Sequence, residues 1–240
     1  MSAPPIERRY ARLWGMPNLT AISGGKVGGL VVPFGRRSQP MAGYVEFVAP
    51  TAFRKCAGDG WPDVVCFSDH GLLGSTRVGT LRFSATDDGL HFEADVPKAL
   101  PVAVEYAERG DYADIEIRWQ VYEDRWTCDN GGYPVRELLS IRLVEISPAT
   151  ISVPDDRNPV VALQSLALSV GEPVEYVRAL ADRKGLRELF GYRPPEPILL
   201  GKNGRQAHIE TIEAEEFGAL ILDQRAVKTT PKDLARENAR

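Results

Sequence analysis

From Ile115 the run Ile-Glu-Ile-Arg-Trp-Gln-Val-Tyr-Glu alternates apolar and polar side chains without a break. Successive side chains of a β-strand point to opposite faces. The alternation therefore sets Ile115, Ile117, Trp119 and Val121 on one face and Glu116, Arg118 and Gln120 on the other. A chain carrying such a strand has to bury one face of a sheet, and its other segments must supply the partners.

Several do. Lys26-Val-Gly-Gly-Leu-Val-Val-Pro-Phe reads as a strand with glycine at close approaches, and Gly43-Tyr-Val-Glu-Phe-Val alternates as a half-buried strand does. Ala49-Pro-Thr-Ala-Phe53 is expected to be a turn feeding a short helix, and Asp63-Val-Val-Cys-Phe-Ser is a further apolar run. The segments Gly79–Thr86 and Leu90–Val96 flank Asp87-Asp88-Gly89, a hairpin signal because Asp-Gly accepts positive φ. Ala99–Arg109 is expected to form a helix stopped by Gly110. Pro134–Pro148 is expected to be a long strand bulged near Leu138-Leu139. After Pro154 the character changes. Pro173–Phe190 has helical spacing at Val174, Val177, Leu180 and Leu186 with Gly191 as the stop. Arg193-Pro-Pro-Glu-Pro reads as a rigid linker, Ala207–Asp223 as a strand plus helix, and the last fifteen residues, charged and poor in apolar side chains, as disordered. The expected organisation is a poorly patterned leader over 1–24, a β-rich domain over 25–154, and a helical, partly disordered C-terminal extension over 155–240. The periodicity by itself implies an α+β, strand-rich domain.

Composition narrows the function classes. At 240 residues the chain fits one domain with appendages, and 43% hydrophobic with 26% charged residues is the balance of a water-soluble protein. No stretch approaches the roughly 18 apolar residues of a membrane span, and the N-terminal residues lack the apolar core of a secretion signal, so a cytoplasmic location without a membrane partner is expected. Cys56, Cys66 and Cys128 form no Cys-x-x-Cys pair and have no histidine at metal-ligand spacing; free thiols, no metal and no cofactor are expected. A net charge of -4 argues against nucleic acid as the main partner.

A set of local patterns occurs in a fixed order: Gly43-Tyr44 through Phe47-Val-Ala-Pro-Thr-Ala-Phe53, Phe67-Ser-Asp-His70, Gly79-Thr-Leu81, Gly89-Leu90, Phe92-Glu-Ala94, Gly110-Asp111 and Leu143-Val-Glu-Ile-Ser-Pro-Ala-Thr150. In this order they resemble the tailed-phage prohead (capsid maturation) serine proteases over roughly 26–154. The resemblance implies an assemblin-like β-barrel, closed or nearly so, flanked by helices. It also implies a role in cutting scaffold and capsid chains inside the immature shell, a major capsid protein or scaffold chain as partner, self-association, and a location in the host cytoplasm within or on the procapsid.

The resemblance also implies site residues. Serine peptidases need a hydroxyl activated by a base that is itself held in the right tautomer. His70 matches the base and Glu145 the acidic residue that orients it; read from the sequence alone, a loop histidine and a solvent-facing strand glutamate stay open. Where the family places its nucleophilic serine in a Gly-Met-Ser-Phe-Gly-Phe-like strand, this chain has Glu116, with Ile115 for methionine and Arg118 for glycine. A carboxylate is a weak nucleophile toward an amide, and acyl transfer through it would pass through an anhydride. Arg118, two residues along the same face, can pair with Glu116. Ser140 and Ser68 are the substitute hydroxyls, Ser68 being two residues from His70, and Glu116 with Glu145 is a further candidate as a carboxylate pair for acid and base work. The expectation is a head-assembly protein of impaired catalysis; the alternatives are a peptidase with another nucleophile and a non-enzymatic component of a viral or prophage-derived particle.

Overall fold

A computed structural model of the chain describes residues 3–15, 19–150 and 159–191. The chain divides into two units, 1–193 and 194–240, and the described residues all fall in the first. The linker at 193–197, the strand-plus-helix segment 207–223 and the last fifteen residues expected above lie outside the described residues.

Among the described residues ten strands form two sheets. The alternating run becomes β9 (Asp114–Cys128), which pairs antiparallel with β10 (Pro134–Ala149). These two long strands form the spine of a six-stranded sheet. On the far side of β9 lies β1 (Ile6–Tyr10). On the far side of β10 lie β4 (Val45–Val48) and β5 (Val65–Ser68), each parallel to a different stretch of it, and β6 (Gly71–Ser75) pairs antiparallel with β5. The register of β9 and β10 shifts at Leu138–Ser140–Ile141, where the bulge was expected, and again between Leu143 and Glu145. The second sheet has the order β2 (Leu19–Ile22), β3 (Lys26–Pro33), β8 (Gly89–Asp95), β7 (Leu81–Ala85), with the Asp-Gly hairpin joining β7 to β8.

Ile115, Ile117 and Trp119 are buried as the alternation requires, facing Val31, Leu90, Ala94 and Phe53 in one apolar core between the sheets. Gly28 sits where β3 crosses β8; a Cβ there would lie 2.6 Å from the Phe92 carbonyl oxygen, so the sequence leaves that side chain out. Two helices flank this core. α1 (Arg54–Gly58) follows the expected turn, and α2 (Pro101–Arg109) starts on proline and ends at Gly110 in the left-handed conformation, as expected.

The strand-rich α+β class holds, but the expected closed barrel does not. Among the described residues the sheets meet through a single parallel bridge, Phe34 with Val48, and through the turn in which Thr80 bonds Ser75 and Asp95. Closure needs a continuous ladder around the ring. Here β4 and β5 both occupy the same edge of β10, and α1 fills the gap between them, with Ile141 N–H donating to the Ala52 carbonyl.

Within the poorly patterned 1–24 segment lie β1, a 3-10 turn over Ala11–Trp14 and β2. Beyond β10, α3 (Pro159–Val170) and α4 (Val174–Asp182) pack on each other and on Tyr44 and Trp126 as a second apolar cluster. The helical run expected over 173–190 is interrupted. α4 ends at Asp182, Lys184 takes φ 59°, and a short 3-10 turn over Leu186–Phe190 follows before the Gly191 stop.

Candidate functional site

The polar face of β9 is the starting point. Glu116 lies opposite Tyr10 of β1 on one side and Ser147 of β10 on the other, and Arg118 lies opposite Arg8 and Glu145. These residues line the sheet face that points away from the core, because their neighbours Ile117 and Ile146 are fully buried on the other face.

The charges there are paired. Arg118 Nε donates to Glu116 Oε1 at 2.7 Å, which bears out the expected i,i+2 link, and its Nη1 reaches Glu145 Oε2 at 3.4 Å. Arg8 Nε lies 3.0 Å from Glu116 Oε1. Ser147 Oγ donates to Glu145 Oε1 at 2.7 Å. Partial burial works against the charge on Arg118, but Glu116 and Glu145 outweigh it and hold the guanidinium more firmly protonated than usual. The structure therefore brings Glu116 and Glu145 together through one shared arginine. That is an ion-pair arrangement and not two carboxyls sharing a proton.

His70 occupies the turn between β5 and β6. Its ring stands edge-on to Tyr106 of α2 at 4.9 Å between centroids, and Tyr106 in turn meets Tyr112 at 6.1 Å. The Nε2 atom is buried without a hydrogen-bond partner. The link from His70 to Ser68 runs through the backbone, His70 N–H donating to Ser68 Oγ at 3.2 Å. Ser68 is 2% exposed on the core face with Cys66, since strand alternation ends at Ser68 and does not carry through to His70.

Ser140 sits elsewhere. It falls at the β10 bulge opposite Glu123, lining a cavity of about 320 Å³ with Cys56, Tyr122 and Arg142. Seven residues of strand separate it from Ser147, about 23 Å at the usual rise. Neither substitute serine shares a hydrogen bond with the His70 ring among the described residues, and no group of metal-ligating side chains occurs there.

Sequence reasoning missed three members of this face, Ser147, Arg8 and Tyr10, whose hydroxyl donates to Glu116 Oε2 at 3.5 Å. Ser147 was quoted only as part of the Glu-Ile-Ser-Pro pattern. Its place two residues beyond Glu145 on one strand was a usable signal, since i and i+2 share a face.

A family model described as caudovirus prohead serine protease matches residues 19–166. Neither the comparison with curated proteins nor that with solved structures gave a match.

Proposed function

Because this chain belongs to the caudovirus prohead serine protease family, we propose that it acts in phage head assembly as a protease-like protein that engages capsid or scaffold chains in the assembling procapsid without the family's serine chemistry. The observation that carries this reading is the state of Glu116. The reading takes Glu116 to stand where the family has the attacking hydroxyl, and what supports it is that two guanidinium groups, Arg8 and Arg118, lie 3.0 and 2.7 Å from its carboxylate. Ion pairing of this kind draws off the electron density an attack on an amide would need. His70 and Glu145 remain in the chain, but Arg118 and Ser147 occupy Glu145. The two open sheets are read as an assemblin-like arrangement, supported by the family match. Self-association, and a place in the host cytoplasm within or on the procapsid, belong to the same proposal.

A second reading has one observation behind it. Ser147 is partly exposed, on the strand next to Glu116, and already donates to a carboxylate. A peptidase with a new nucleophile would use this serine in preference to Ser140 or buried Ser68.

One experiment separates the two. The purified protein is incubated with a co-expressed capsid or scaffold chain; fragment masses and co-elution on gel filtration are read together. Co-elution with intact partner is the expected result. Cleavage lost in Ser147→Ala supports the second reading, and cleavage lost in His70→Ala overturns the proposal.

A further inference from the structure

On the other side of β1, where the start of the chain, β9 and α3 meet, lies a cleft of about 470 Å³, within the size range of ligand clefts, roughly 300–1,000 Å³. Its walls are apolar: Pro5, Val121, Tyr122 and Leu168. Tyr122 is 53% and Leu168 85% exposed. A leucine that open on an otherwise well-packed helix leaves apolar area for a partner to cover.

The floor is charged, and its charges are unequal. Glu7, Glu123 and Asp124 line the cleft against one cation, Arg136. Each nitrogen of Arg136 already serves a carboxylate: Nε on Asp124 at 2.7 Å, Nη1 and Nη2 on the two oxygens of Glu7 at 2.7 and 2.8 Å. With its side chain 1% exposed, that guanidinium is turned to these carboxylates and not to a guest in the cleft. Glu123, by contrast, stands exposed at the rim and makes no ion pair among the described residues.

From this charge complementarity we infer that the cleft is a docking site for a basic side chain, arginine or lysine, presented by a partner polypeptide with an apolar neighbour. The cationic head pairs with Glu123 at the acidic end. Its aliphatic stem and the neighbouring apolar residue cover Tyr122 and Leu168, as long cationic side chains do on apolar surface. This site is separate from the Glu116 face and does not depend on the function proposed for that face.

The test uses a fluorescein-labelled Gly-Leu-Arg-Leu-Gly amide, with citrulline and glutamate in place of arginine as counterparts, and fluorescence anisotropy at low salt with the full-length protein. The arginine peptide is expected to bind about tenfold tighter than the citrulline peptide, a gap that narrows as salt rises. Glu123→Gln should remove most of that gap, whereas Leu168→Ser should weaken both peptides alike. Both side chains are exposed, and near-UV circular dichroism checks that each variant keeps its packing. Equal binding of arginine and citrulline, preference for glutamate, or arginine binding indifferent to both substitutions would overturn the inference.

Discussion

Glu116 on β9 lies directly across the strand ladder from Ser147 on β10, and the Ser147 hydroxyl is turned from it to donate to Glu145. The Ser147 hydroxyl thus serves a neighbouring carboxylate, while Glu116 is held by Arg8 and Arg118. Arg118 is the hinge of the arrangement, since it alone touches both carboxylates among the contacts described.

Replacing Arg118 by alanine should therefore leave two like charges on one sheet face, with Arg8 compensating only Glu116. These groups are partly solvated, so the cost is modest, about 0.5–1 kcal/mol. Glu116→Gln in the same background should recover part of it. Urea melts of the single and double variants at neutral pH check this; an equal loss in both would show that lost packing of the arginine stem outweighs the charge.

A larger effect is expected on the opposite face of β1. Glu7, Arg9, Glu46 and Arg136 are all at most 2% exposed and form a closed ionic network. Arg9 bridges Glu7 and Glu46, Arg136 grips Glu7 with both terminal nitrogens, and Asp124 joins through Arg136 and the Ser165 hydroxyl of α3. Removing one partner strands a buried charge, which costs about 3–5 kcal/mol, whereas replacing a whole network by apolar side chains can be neutral. Arg136→Met should thus destabilise the protein by several kcal/mol in a denaturant melt. It should also loosen α3, because Asp124, which accepts from Ser165 of α3, would lose the guanidinium that holds it in place; hydrogen exchange of the 159–170 amides reports that step.

The same network explains what the sequence hides. β9 was legible because its inward side chains are Ile115, Ile117 and Trp119, whereas β1 turns Glu7 and Arg9 inward and so looks patternless to any search for apolar period. α3 was missed for the opposite reason: Val-Val-Ala-Leu-Gln-Ser-Leu-Ala-Leu is apolar nearly all round and shows no stripe. β6, Gly-Leu-Leu-Gly-Ser, has no alternation to read. The Glu116–Arg118 link follows from strand period alone. Its meeting with Glu145 and Ser147 depends on the β9–β10 register, which three shifts set and no local pattern announces.

Gly28 gives a backbone test of the contact between β3 and β8. A methyl group there would stand 2.6 Å from the Phe92 carbonyl oxygen and 2.7 Å from the Ile22 side chain. Ile22 can move, but the carbonyl belongs to the paired strand and cannot without opening the ladder. Gly28→Ala is expected to cost about 1–3 kcal/mol by overpacking. Gly58→Ala, where nothing lies within 4 Å, is the control and should change stability little.

Acid should unlock the buried network through Glu7. Burial alone would raise the pKa of this carboxyl, but Arg9 and Arg136 outweigh it and hold the pKa below the ordinary value of 4.5. A carboxyl with a depressed folded-state pKa binds its proton more readily in the unfolded chain. Its contribution is therefore fully present above about pH 4.5 and is lost as pH falls from there through the folded-state pKa. The unfolding free energy of the wild type should fall in that window with a slope that includes one proton taken up by Glu7. Glu7→Gln, already less stable at neutral pH, should show a shallower slope by up to that one proton, about 1.4 kcal/mol per pH unit. Urea melts across the window for both proteins give the comparison; parallel slopes would mean that Glu7 stays ionised until the whole domain unfolds for other reasons.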